Sequence, residues 1–475
     1  MDIVLATLNA RYTHASLGLR YLRANLGAYR ERSVLCEFTI KRPPHEIVDE
    51  ILALQPKLVG FGVYIWNTNQ TLAVVRELRR RAPELMIVAG GPEISYETEG
   101  QTLTQIVDHV FQGEADFTFR DFVQVWFENG QRPAQRIVGP RLPEIDRLQL
   151  PYAEYSDEDI KNRTIYVEAS RGCPYKCEYC LSSLDKSVRN FPLEPFLAAL
   201  DQLIQRGARQ FKFVDRTFNL APSTSTRILQ FFSGRQPLFL HFEMVPDRLP
   251  DELKELIQRF PAGSLQFEIG IQTWNPEVAR HVSRRQDFTK VAENLRFLRS
   301  QTGVHTHTDL IVGLPGETRA SFAAGFNRLF ELQPDEIQVG ILKRLKGTPI
   351  VRHDREFQMV YSAEPPFTIL STSTMSALEI REMSVFADFW DHVANSGRFP
   401  YLRDQAGTDP FAYFFSLAQW LFQRFGRTHS IHLRDLSAAI HEYLGMSSEL
   451  GQVAVITDVS VLPKRQQRHA LRSEA

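Results

Sequence analysis

Two runs in which short apolar strands alternate with helix-periodic segments, separated by a proline-rich stretch, constrain the fold of this 475-residue chain more than any other feature. In the first run strands are expected at 3–8, 34–40, 57–64, 85–89 and 109–112, with helical spacing between them, as at Leu72, Val75, Leu78 and Ala82. That rhythm predicts an α/β fold whose N-terminal domain, 1–135, is Rossmann-like and doubly wound, with ligands outside the carboxyl ends of the strands. The loops 9–18, 65–69 and 90–93 are then the informative ones. Pro140, Pro143 and Pro151 break any helix between 137 and 160, which predicts a linker at 136–160. The second run predicts strands at 165–169, 210–215, 239–244, 265–272, 305–312 and 336–342. Helices are expected between them at 195–206, 223–232, 252–259, 288–301 and 320–332. Consecutive units of this kind predict a partial (β/α)6 barrel over 161–352, with its site at the C-terminal strand ends. The strand rhythm then stops, and 377–394, 410–425 and 433–444 read as helices of a C-terminal helical domain, 353–475. Lys464, Arg465, Arg468 and Arg472 read as a solvated terminus.

With 43% apolar residues and 33 Phe, the chain has ample material for several cores, which excludes disorder and a disulfide-dense mini-fold. The formal net charge of −1, from 55 basic and 56 acidic residues, announces no nucleic-acid partner. The opening MDIVLATLNARYTH lacks the apolar stretch of a signal peptide, and no run of about 18 apolar residues suggests a membrane span, so a cytoplasmic location is expected.

Of four cysteines, three stand together in Ser170-Arg171-Gly172-Cys173-Pro174-Tyr175-Lys176-Cys177-Glu178-Tyr179-Cys180. Such clustering argues for a metal in a reducing compartment rather than a disulfide framework. Three thiolates are one short of a closed four-iron cluster, so one iron would stay open to another ligand, the mark of a catalytic site. A zinc site completed by a histidine or by Cys36, or three ordinary buried thiols, are the blander alternatives.

The CxxxCxxC loop with Tyr179 before its last cysteine, placed after the first strand of a β/α barrel, resembles the radical S-adenosylmethionine (SAM) superfamily. The resemblance implies that Cys173, Cys177 and Cys180 carry a catalytic 4Fe-4S cluster whose open iron chelates SAM. It further implies SAM contacts from Tyr179, from Asp215 at the second strand end, from Glu243 and Gln272 facing the lumen, and from Ile311, Gly313 and Pro315 in Asp309–Glu317. Leu345-Lys346-Gly347-Thr348-Pro349 resembles that family's sixth-strand exit. The runs 59–67 and 88–93, together with 113–119, resemble the cobalamin-binding domain fused to many radical SAM proteins, although Ala115 stands where glycine is usual. On that resemblance the cobalamin contacts are Ser16, Leu17, Tyr64, Trp66, Asn67, Gly90, Gly91, Pro92, Glu93, Gly113 and Glu114. The Asp-x-His-x-x-Gly signature is missing, since Tyr12 and Leu17 flank His14. A cobalamin without a lower histidine ligand is therefore expected, with His14 as loop structure.

The implied chemistry is methylation of an unactivated carbon of a small-molecule substrate through methylcobalamin and a 5′-deoxyadenosyl radical, fed by an electron donor such as flavodoxin or ferredoxin. Two other outcomes stay open: a cyclisation or rearrangement without methyl transfer, and a non-catalytic redox or cobalamin sensor. A tRNA methylthiotransferase is disfavoured, because no second cysteine trio and no small basic β-rich module occur.

Overall fold

The computed structural model describes residues 1–235 and 237–445; the basic residues from Lys464 to Arg472 lie outside them. Strands β1 (Ile3–Asn9), β2 (Ser33–Thr39), β3 (Leu58–Gly62), β4 (Met86–Gly90), β5 (His109–Phe111) and β6 (Ile137–Val138) form one parallel sheet in the order β2-β1-β3-β4-β5-β6. Every residue of β1 and β3 is buried, because helices cover both faces. Val4, Ala6 and Leu8 pack with the helices Pro44–Ala53 and Thr68–Arg81, whereas Ile3 and Leu5 pack with Leu17–Ala24 and Asp116–Asn129. The strand order reverses between β1 and β3, which makes their C-terminal ends the topological switch point.

The segment expected to be an irregular linker is more ordered than its prolines suggest. Ile137–Val138 joins the sheet as β6, and Asp157–Asn162 forms a helix started by a capping box of Ser156 and Asp159. Strands β7 (Ile165–Val167), β10 (Gln210–Phe213), β11 (Phe239–Met244), β12 (Leu265–Gln272), β13 (His305–Val312) and β14 (Glu336–Ile341) make the second parallel sheet, in the order β14-β13-β12-β11-β10-β7. Between β7 and β10 a short antiparallel ribbon, β8 (Ser170–Arg171) with β9 (Arg189–Asn190), frames the cysteine loop. A second ribbon, β15 (Val360–Tyr361) with β16 (Ile369–Ser371), lies inside the region 353–475 that was expected to be helical.

Since β7 and β14 do not pair, the barrel is open and has two edges whose backbone groups need partners. Side chains supply them. At β7, the Tyr152 hydroxyl accepts from Glu168 N and donates to Glu168 O, both at 3.1 Å, and the Tyr155 hydroxyl does the same for Tyr166 at 3.0 and 2.8 Å. At β14, the Asn395 amide accepts from Ile337 N at 3.1 Å and donates to Ile337 O at 2.9 Å. The helix Ala377–Trp390, started by a Ser376–Glu379 capping box, runs into the π-helical turn Asp391–Asn395 that carries this amide to the edge. Trp390 adds a bond from Nε1 to the same carbonyl at 2.6 Å and stands edge-on to Phe326 and Phe414, each 4.8 Å away between ring centroids.

Trp390 thus fills the joint between barrel and C-terminal helices with 1% of its surface exposed. Trp390→Ala is expected to cost about 3–5 kcal/mol, the usual penalty for emptying a large aromatic site, and to lower the midpoint of thermal unfolding by on the order of 10 °C. Differential scanning calorimetry of both proteins checks this, and a shift of only a degree or two would show that the helices do not brace the barrel. Among the described residues no helix is long and apolar enough to cross a membrane.

Candidate functional site

Two cavities open at the carboxyl ends of the two sheets. The first, about 280 Å³, runs from the ends of β3, β4 and β5 down between the first sheet and the helices Leu17–Ala24 and Asp116–Asn129. Its walls are mostly apolar, from Leu5, Phe61, Val88, Phe111 and Phe119, and it is deep because glycines stand where side chains would fill it. A Cβ on Gly60 would lie 3.2 Å from Leu5 Cδ2 inside the slot. At the rim, Gly91 adopts φ +113°, and a Cβ there would strike the Val63 carbonyl, so no other residue keeps this turn. A long, flat, largely apolar ligand tail fits such a slot. The stacked rings of Tyr64 and Trp66, 4.5 Å apart at 8°, lie beside its mouth, with Trp66 46% exposed.

Of the residues expected to touch cobalamin, Leu17, Tyr64, Gly90, Gly91, Pro92, Gly113 and Glu114 line this cavity, and Ser16, Trp66, Asn67 and Glu93 do not. The polar ones among the latter serve the fold. Ser16 caps the helix Leu17–Ala24 by accepting from Leu19 N. Asn67, fully buried, accepts from Tyr64 N at 2.8 Å and donates to Leu8 O and Gly62 O, both at 3.1 Å, which closes the switch point itself. Glu93 pairs with Lys346 at 2.6 Å, tying the sixth-strand exit of the barrel to the first domain. His14 sits 2.6 Å from the Tyr166 hydroxyl and lines neither cavity, so it is loop structure. Two of the unforeseen wall residues, Glu168 and Arg171, reach over from the barrel.

The second cavity, about 240 Å³, collects Cys173, Cys177 and Cys180 with Tyr179, Glu243 and Gln272, and with Arg216, Glu268, Arg284 and Asp309. All three cysteines are free thiols. Among the described residues no three His, Cys, Asp or Glu side chains converge tightly enough for a single ion. Three thiols spread around one cavity suit a cluster in which each binds a different iron. The loop that carries them is fixed from several sides. Cys173 N donates to Asp185 O at 2.9 Å. Glu178, buried between two of the cysteines, is bound by His353 at 2.9 Å and by Arg352 and Ser283.

Four expected SAM contacts are not among the walls of this cavity. The Asp215 carboxylate accepts from Ala169 N at 3.0 Å and Ser170 Oγ at 2.6 Å, bracing the exit of β7. Burial pushes its pKa up to about 7, against the pull of those donors. Its neighbour Arg216 faces the cavity instead and grips Glu243 with bonds of 2.9 and 3.1 Å. Ile311, Gly313 and Pro315 lie outside the walls, and the C-terminal segment covers the strand end at Gly313. Gly313, at φ +87°, has Ile369 packed where a Cβ would stand, and the Pro315 carbonyl faces His281 Nδ1 at 3.2 Å.

Gln272 does reach the cavity. A register shift between Gly270 and Gln272 and a φ of +72° turn it out of the alternation of β12, a bulge of the kind that re-aims a side chain beside a site. Arg284 was not anticipated. It donates to Tyr179 Oη at 3.3 Å, Cys177 Sγ at 3.6 Å, Gln286 Oε1 at 3.2 Å and the Gly270 carbonyl, none of them a carboxylate. A guanidinium with no carboxylate partner among the described residues, at the edge of a thiol-lined cavity, suits an anionic group of a ligand. Deeper in the lumen Glu268 is shared by Lys212 at 3.2 Å and His241 at 2.8 Å, and these partners hold its carboxyl well below the usual range despite burial.

The family models agree with this layout. Residues 3–123 match a B12 binding domain, 167–328 the radical SAM superfamily, and 355–460 a protein of unknown function (DUF4080). Among curated proteins, the cobalamin-dependent radical SAM methyltransferase TokK of Streptomyces tokunonensis is 23% identical over 65% of this chain and 50% of its own length. The chain spans about half the length of the curated relatives it matches first. Among solved structures, OxsB with aqua-cobalamin and S-adenosylmethionine bound superposes with a TM-score of 0.64 at 12% identity, covering 99% of this chain and 83% of that one. TsrM from Kitasatospora setae, with cobalamin and a [4Fe-4S] cluster bound, gives 0.61 at 16% identity over 77% of this chain and 82% of that one. At such identities the two structures speak for the fold, and the domain models speak for the parts: the chain carries a B12-binding domain followed by a radical SAM domain.

Proposed function

We propose that this protein is a cobalamin-dependent radical SAM enzyme that methylates an unactivated carbon of a small molecule. The observation that carries the reading is that the two cavities adjoin. Arg171, two residues before Cys173, and Glu168 are walls of the first cavity, while the loop they introduce walls the second. Cys173, Cys177 and Cys180 would hold the cluster, Arg284 the SAM carboxylate, and the slot beneath Gly60 and Gly91 the cobalamin tail. Bound there, the cluster supplies an electron for the cleavage of SAM, and cobalamin supplies a carrier for the methyl group. The chain's own part is placement: two parallel sheets present their carboxyl ends to one another, and the apolar walls of the first cavity keep water out. No histidine is among those walls, and the stacked Tyr64 and Trp66 at the mouth would offer an aromatic surface to the bound cofactor.

Anaerobic reconstitution with iron, sulfide and hydroxocobalamin is expected to give a protein whose absorbance shows both cofactors. With reductant, SAM and substrate it should release 5′-deoxyadenosine and S-adenosylhomocysteine together. Release of 5′-deoxyadenosine without any S-adenosylhomocysteine would remove methyl transfer and leave a radical rearrangement.

A further inference from the structure

Glu114 belongs to the last loop of the cobalamin domain, yet its carboxylate is turned toward the barrel. Arg171 Nη1 donates to Glu114 Oε2 at 2.7 Å, and Arg189 Nη2 pairs with Glu114 Oε1. These two arginines lie on β8 and β9, the two strands of the ribbon that closes the cysteine loop at its base. One carboxylate of the first domain therefore holds both ends of the segment that carries all three thiols.

The surrounding contacts make this a rigid joint rather than a surface ion pair. The Arg171 side chain is 11% exposed and also bonds Asp116 at 3.0 Å and Glu168 at 2.8 Å. Its guanidinium lies 4.4 Å over the ring of Tyr21, a wall of the first cavity. Arg189 also bonds Asp185 at 2.8 Å, and Asp185 O is the acceptor for Cys173 N. Between them, Gly172 at φ +88° brings the chain against the Ser187 carbonyl, so the base of the loop has little freedom to relax. Gly113, Glu114 and Asp116, in turn, are walls of the first cavity. Whatever seats that loop seats the base of the thiol loop as well.

We propose that Glu114 is a positioning residue that couples the two sites, so that cobalamin in the first cavity and a cluster on the three thiols each strengthen the binding of the other. The inference rests on the proposed cofactor pair and adds to it a thermodynamic link between them. Coupling of this kind is reciprocal: the factor by which a cluster tightens cobalamin equals the factor by which cobalamin tightens the cluster. The ion pairs carry it because they are mostly buried, where breaking one partner leaves a charge without compensation.

The test is a hydroxocobalamin titration, followed by absorbance, of the full chain with the cluster reconstituted and with the cluster removed by a chelator. The wild-type protein is expected to bind hydroxocobalamin at least about fivefold more tightly with the cluster present, the lower end of typical couplings. In Glu114→Gln the two dissociation constants should agree within a factor of two, whatever their absolute values. Glu114→Asp should recover part of the difference. Arg189→Gln, which cuts only one arm of the joint, should lie between the wild-type protein and Glu114→Gln, and it keeps the comparison open should Glu114→Gln fold poorly. Equal affinities in the wild-type protein, or a full difference retained in Glu114→Gln, overturn the coupling. A wild-type protein that binds no hydroxocobalamin in either state overturns the underlying cofactor reading instead.

Discussion

Cys177→Ser is expected to leave the chain folded and to abolish reductive cleavage of SAM. The thiol at Cys177 is buried, and its loop is held chiefly by neighbours: Glu178 by His353 and Arg352, and Cys173 N by Asp185 O. A serine oxygen preserves that packing. It cannot preserve the metal site, because iron–sulfur clusters are held by thiolates and a serine hydroxyl stays protonated near neutral pH. With two thiols left of three, the cluster is under-ligated and the open iron that would take SAM is lost with it. The rate of 5′-deoxyadenosine release should fall by more than about 10³-fold, equivalent to roughly 4 kcal/mol of transition-state stabilisation. Iron content per chain and a chromatographic assay for 5′-deoxyadenosine report the two halves of the effect, with thermal unfolding as the control for folding. A variant that keeps its iron and cleaves SAM at the wild-type rate would remove the cluster from the mechanism.

Strand positions were legible in the sequence because strands buried on both faces write continuous buried runs, as in β1 and β3, whereas strands with one face on the lumen write a period of two, as along β13 and the second half of β12. The cysteine trio was legible because three thiols in so short a loop have few other uses. Side-chain direction at strand ends was not. The period of two that orients residues inside β10 ends with Phe213, so nothing in the sequence decides between Asp215 and Arg216 as the residue that enters the cavity. Gln272 reached the cavity through a bulge, and alternation does not foresee bulges.

Polar residues in promising loops proved equally ambiguous. Asn67 and Gly91 both belong to the rim of the first cavity by sequence, but a buried amide must satisfy several hydrogen-bonding groups and was consumed by the switch point. Glu168 and Arg171 were out of reach for a different reason: they serve a cavity of the other domain. The order of the segment 136–160 was not legible, because its prolines say nothing of the tyrosines between them, and Tyr152 and Tyr155 became the partners of an open barrel edge. Arg284 carried no motif signal of its own, and only the fold brings it 3.6 Å from Cys177 Sγ.

Arg284→Ala should weaken SAM binding to the reconstituted protein by about 30- to 150-fold, roughly 2–3 kcal/mol, within the usual cost of deleting one partner of a desolvated charge pair. The carboxylate of SAM is the anionic group the cavity must accommodate; of the other two arginines in its wall, Arg216 is already engaged with Glu243 and Arg285 is exposed to solvent. Among the described residues no carboxylate pairs with Arg284, and its bonds to Gln286, Tyr179 and the Gly270 carbonyl hold the guanidinium in place. Pre-set donors lose little freedom when a ligand arrives, so much of their interaction energy survives as affinity. Arg284→Lys keeps the charge but not the fork that spans Gly270 and Tyr179, and should recover only part of the loss. Equilibrium binding of SAM, with iron content measured alongside, separates this from damage to the cluster: iron should be retained in Arg284→Ala while SAM affinity falls. SAM affinity within a factor of two of the wild-type value would show that the carboxylate is held elsewhere in the cavity, and would return Arg284 to the role of a strut between β12 and the cysteine loop.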